Sequence, residues 1–73
     1  MQILVFKTNL EDKQQISAAR KLLSKIQGIF YWNVDLHDID KILRIEANEK
    51  LLVPVRVEQT LQQAGYYCEE LKD

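Results

Sequence analysis

Apolar residues fall along this chain in short clusters whose spacing switches between the strand and helix periods. Ile3-Leu4-Val5-Phe6, within residues 2 to 7, is a β-branched and aromatic run that reads as a buried strand. Thr8 and Asn9 close it, and either suits a helix N-cap: Thr8 with Glu11 and Asn9 with Asp12 both have the cap-x-x-acid spacing that satisfies two backbone N–H groups reciprocally. A helix is therefore predicted to begin near Leu10. Ile16, Ala19, Leu23 and Ile26 recur at helical spacing with Leu22 beside them, while Lys13, Ser17, Arg20, Lys21, Ser24 and Lys25 fill the other side, and Gly28 is the stop. Ile29 to Leu36 is strand-like, with Phe30, Trp32, Val34 and Leu36 alternating onto one face and Ile29, Tyr31, Asn33 and Asp35 onto the other. His37 to Lys41 is polar enough to turn, and Ile42 to Ala47 follows as a third strand with Leu43 and Ile45 inward. Pro54 suits the first turn of a second helix, whose buried stripe is Val57, Leu61 and Ala64 and whose end is Gly65; Tyr66 to Leu71 supplies a fourth strand.

The resulting order is βαββαβ, an α+β ferredoxin-like sandwich read as one domain over residues 1–73. A four-stranded antiparallel sheet with both helices on one face lets the two amphipathic stripes share a core. If Ile3, Val5, Phe30, Trp32, Val34, Leu43 and Ile45 form that core, alternation sends Leu4, Phe6, Tyr31, Ile42 and Tyr67 to the uncovered face. A contiguous apolar patch there is expected to be a contact surface for a protein partner or a second copy. The basic side of the first helix, Lys13, Arg20, Lys21 and Lys25, is a second candidate surface.

Composition narrows the chemistry. Seventy-three residues with 47% apolar and 29% charged side chains describe an ordinary globular domain. A formal net charge of −1 supplies no basic excess to neutralise phosphates, so nucleic acid is not an expected partner. The lone cysteine, Cys68, permits neither an internal disulfide nor a thiolate cage, and points to a reducing, cytoplasmic setting. The apolar run at residues 3 to 6 is too short for a signal-peptide core or a membrane span. With one histidine, one cysteine and no glycine-rich phosphate loop, no catalytic constellation is present, and neither an enzyme nor a cofactor is expected. Cys68 lies inside the last strand beside Tyr66 and reads as a buried thiol; His37, with Asp38 and Asp40, reads as a solvated turn.

Three segments, Asn9-Leu10-Glu11-Asp12-Lys13-Gln14-Gln15, Gly28-Ile29-Phe30-Tyr31-Trp32-Asn33-Val34-Asp35-Leu36 and Ala64-Gly65-Tyr66, together resemble the heavy-metal-associated domain of copper chaperones and metal-transporting ATPases. The likeness runs from the first strand through Glu70-Leu71: Leu10 matches the methionine that commonly precedes the metal site, and Ile16, Ala19, Leu22, Leu23, Ile26, Val57 and Leu61 match the helix patterns. The resemblance implies a soft ion such as Cu(I) held by two thiolates and passed between facing domains, with the first helix docking the partner by charge. Here the positions matching those cysteines are Asp12 and Gln15. A hard carboxylate and an amide oxygen are poor Cu(I) ligands, and Asp12 instead suits the positive end of a helix.

The favoured reading is a non-enzymatic binding or interaction module that resembles this family without its metal-binding cysteines, with a metal-handling context as the setting the resemblance implies. Two others stay open: a metal-ion carrier using oxygen or histidine ligands or Cys68 shared across a dimer, and a small-molecule regulatory module like the ACT domains, which share the βαββαβ order.

Overall fold

Hydrogen-bond register decides which side of each strand faces the helices. The structure, a computed structural model, describes residues 1–72. Its elements run β1 (Gln2–Thr8), α1 (Lys13–Leu23), β2 (Ile29–Asp35), β3 (Ile42–Ala47), α2 (Pro54–Gln63) and β4 (Cys68–Glu70). The strands form an antiparallel sheet in the order β2-β3-β1-β4, with β1 central against β3 and β4 and with β2 and β4 at the edges. This is the ferredoxin-like βαββαβ arrangement expected from the periodicity.

The core corrects one strand. Leu4 and Phe6 are buried, Phe6 completely, and Thr8 is buried beside them, whereas Ile3 is exposed. Register requires this: Leu4 sits opposite Ile45 and Phe6 opposite Leu43 on β3, and both of those side chains are fully buried. The first strand therefore turns Leu4 and Phe6 toward the helices and leaves Ile3 and Lys7 on the open face, so Leu4 and Phe6 belong to no contact surface.

A second departure lies in β2. Ile29 pairs with Ala47 but Tyr31 pairs with Glu46, so an extra residue, Phe30, is accommodated by a bulge. Ile29, Trp32 and Val34 consequently pack against the core, while Phe30 is turned out at 63% exposure instead of lying inside.

The helix ends differ in how they close. Helix α2 starts on Pro54 and ends in a paired cap, with Gly65 N–H donating to the Gln62 carbonyl at 3.0 Å and Tyr66 N–H to the Leu61 carbonyl at 3.0 Å. Gly65 takes φ 94° to make it. Helix α1 stops at Leu23, short of Gly28, and the chain reaches β2 through turns closed by Lys25 N–H to the Leu22 carbonyl and Ile26 N–H to the Leu23 carbonyl. Strand β4 is shorter than the stretch Tyr66 to Leu71, although Leu71 N–H still donates to the Val5 carbonyl at 2.8 Å.

Candidate functional site

The entry to α1 carries the positions that the resemblance marks as a metal site. Leu10 does not begin the helix; it is completely buried and holds the chain against the core as a loop residue. Asp12, not Thr8 or Asn9, is the N-cap: its backbone is extended and its Oδ1 accepts from Gln15 N–H at 2.8 Å. Gln15 reaches back, its Oε1 accepting from Glu11 N–H at 2.7 Å. This is the reciprocal logic of a capping box, shifted so that the returning bond lands one residue before the cap. Asp12 and Gln15 are thus tied to each other through the backbone, and satisfy one donor that the helix start leaves open, Gln15 N–H, and one just before the cap, Glu11 N–H.

The two residues first expected to cap do other work. Buried Thr8 accepts from Leu10 N–H through Oγ1 at 3.3 Å and donates from the same hydroxyl to the Lys41 carbonyl, while its own N–H donates to the Asp40 carbonyl at 3.0 Å. Asn9 Oδ1 accepts from Tyr67 N–H at 2.9 Å, joining the loop to the entry of β4. Residues 8 to 15 are therefore held by protein groups at both ends.

Other candidate ligands are dispersed. Cys68 is buried in β4, paired with Thr8 across the ladder, its carbonyl accepting from Gln62 Nε2 at 2.9 Å. Burial, with a smaller contribution from the Glu58 charge, pushes the thiol up to about 12, so it stays protonated and is a poor ligand at neutral pH. In the turn after β2, Asp35 Oδ1 accepts from His37 N–H at 3.0 Å, Asp38 Oδ1 accepts from Asp40 N–H at 2.8 Å, and Asp40 pairs with Lys7 at 3.5 Å. The first two are turn-forming bonds of the kind short carboxylates make with nearby backbone, and the third is an ion pair to β1. Among the described residues no three histidine, cysteine, aspartate or glutamate side chains converge on one point. Tested against a soft ion, this donor set does not fit: a carboxylate and an amide already spent on backbone donors, and a protonated thiol in another element.

The surfaces are more open. Lys13, Arg20, Lys21 and Lys25 are exposed along and just beyond α1, which carries no acidic residue. Between α1 and β2 runs a groove lined by Lys13, Ile16, Ser17, Arg20, Trp32 and Val34, and the Arg20 guanidinium lies 5.3 Å from the centre of the Trp32 ring. Tyr31 is 54% exposed on the open face. Tyr67 is also exposed and its hydroxyl donates to Glu69, whose carboxylate holds that phenol above its ordinary range. The cationic groove was not evident in the sequence: Arg20 and Trp32 each fit their own periodicity, but nothing in the spacing brings one over the other.

No protein-family model matches the sequence, and no curated protein matches it. Solved structures do. Oxidized MerP from Ralstonia metallidurans CH34 superposes with TM-score 0.81 at 12% identity, covering 97% of each chain. The CopZ metallochaperone gives TM-score 0.81 at 13% identity over 93% of this chain and 100% of its own. The yeast copper transporter domain CCC2A, solved in apo and Cu(I)-loaded states, gives 0.82 at 11% identity over 100% of this chain and 99% of its own. With one cysteine in its sequence the chain has no Cys-x-x-Cys pair, and what it shares with these proteins is the heavy-metal-associated fold, a four-stranded sheet covered on one face by two helices.

Proposed function

We propose that this chain is a non-enzymatic binding and interaction module on the heavy-metal-associated scaffold, acting in a metal-handling setting without itself gripping a soft ion. One observation carries the reading. At the positions aligned with the family's cysteines, Asp12 and Gln15 form a closed hydrogen-bonded helix start, so the loop is ordered by the protein alone. A Cu(I) carrier needs soft donors that are free to exchange, and these are hard or weak oxygens already bonded. Support for a docking role comes from the exposed cations Lys13, Arg20, Lys21 and Lys25, which favour an acidic protein partner, and from exposed Tyr31 on β2 and Tyr67 just before β4. No helix is long and apolar enough to cross a membrane among the described residues, and a reducing cytoplasm suits the unpaired Cys68.

The test is a titration of the ¹⁵N-labelled protein with Cu(I) under reducing conditions and, separately, with Zn(II). Amides around Asp12, Gln15, His37 and Cys68 are expected to stay in place up to millimolar ion. A saturating one-to-one shift within residues 9 to 15 would establish instead a carrier using non-cysteine ligands.

A further inference from the structure

Strand β2 is a sheet edge, hydrogen-bonded to β3 alone, and it is the longer of the two edges; β4 is reduced to Cys68–Glu70. An unpaired edge is a template for another strand unless it is blunted by proline, inward-pointing charge or irregularity. The bulge at Phe30 blunts only the start of β2, and Tyr31–Asp35 continues in regular register with no proline. Beside this stretch, on the helix side of the sheet, stands α1 with Lys13 and Arg20 over the half-buried Trp32 and Val34. The Arg20 guanidinium lies within cation–π range of the Trp32 ring, and its planar fork has donors for a carboxylate. Neither Lys13 nor Arg20 is in an ion pair among the described residues.

Resting on the interaction-module reading, we propose that the β2 edge receives an extended acidic segment of a partner protein as an added strand. Alternate side chains of an added strand point to one side of the sheet. Those facing α1 would meet Lys13 and Arg20, so carboxylates at every second position complement the wall, while the backbone bonds of Tyr31–Asp35 set the register. Charge also argues against a second copy as occupant. Pairing β2 with its own two-fold image lays both α1 helices on the same side of the joint sheet, antiparallel across the seam, and turns their cationic rows toward each other.

The probe is the capped hexapeptide Glu-Val-Glu-Val-Glu-Val, titrated into ¹⁵N-labelled protein beside Lys-Val-Lys-Val-Lys-Val and two acidic versions N-methylated at alternate amides, one in each frame. The expected result is shifts on Tyr31–Asp35 with slowed exchange of their outward amides, weakening with salt, loss of binding by one methylated frame only, and no binding of the lysine peptide. Lys13→Glu combined with Arg20→Glu, both at exposed positions, should reverse the preference. Shifts on α1 with β2 unmoved, equal binding of both methylated frames, no binding at millimolar peptide, or β2 shifts that follow protein concentration alone would each overturn the proposal. The metal titration above is untouched by these outcomes, so the two readings fail separately.

Discussion

Replacing Asp12 by alanine removes the acceptor that holds the first turn of α1. Gln15 N–H then loses its 2.8 Å bond, and the return bond from Glu11 N–H to Gln15 Oε1 loses the geometry that positions it. Loss of an N-cap carboxylate costs about 1 kcal/mol, within roughly 0.5–2. In a domain of this size that lowers Tm by about 4–8 °C. Gln15→Ala removes only the return bond, which is exposed and partly replaced by water, and should cost about 0.5 kcal/mol. Because the two side chains share one arrangement, the double variant should fall short of the sum. Asp12→Asn, which keeps the acceptor, should unfold close to the parent. The assay is urea and thermal unfolding followed by far-UV circular dichroism with a chelator present throughout. An Asp12→Ala protein that unfolds at the parent midpoint would show that the helix start is ordered by something other than its cap.

Three further outcomes follow from the packing and the titrating groups. Phe6→Ala should cost about 3–5 kcal/mol because the ring is fully buried, while Tyr31→Ala should leave the denaturation midpoint nearly unchanged. Gly28→Ala should destabilise more than Gly65→Ala: both glycines sit at φ 94°, but an added Cβ at Gly28 meets Leu51 Cβ at 2.9 Å, whereas at Gly65 nothing lies within 4 Å. Cys68 ionises near 9.0 when unfolded and near 12 when folded, so its contribution to stability is complete below pH 9 and is lost as pH rises toward 12. Cys68→Ala should flatten that alkaline loss, measured as the pH dependence of the urea midpoint, and thiol labelling of the parent at pH 8 should proceed no faster than unfolding.

The element order was legible because the polar and apolar periods change cleanly at Asn9, Gly28, His37 and Gly65. The face of β1 was harder to read, since Ile3-Leu4-Val5-Phe6 is apolar on both sides and alternation alone has no sign. Lys7 carried the missing information. Sharing parity with Ile3 and Val5, it puts that set outward and Leu4 and Phe6 inward, as the sheet does. Phe30 could not be placed from the pattern, because a bulge shifts parity without leaving a mark in an aromatic run. The helix start was misplaced for a related reason: Leu10 fits the apolar stripe of α1 but spends its burial on a loop, leaving Asp12 to cap. The unsuitability of Asp12 and Gln15 for a soft ion was visible in residue type; their mutual bonding needed the backbone path from Glu11 to Gln15.

The proposed function predicts that a metal adds nothing to a loop already held by Asp12 and Gln15, and the unfolding midpoint tests this directly. With a ligand bound only to the folded state, stability rises by about 2.7 kcal/mol at a hundred times Kd. The parent protein, reduced, is to be unfolded in urea once with excess chelator and once with Cu(I) in several-fold excess. The expected result is no rise in the midpoint with Cu(I), since the single thiol, Cys68, is buried in the folded state and opens to the ion only on unfolding. A higher midpoint with Cu(I), abolished by Asp12→Ala, would contradict it.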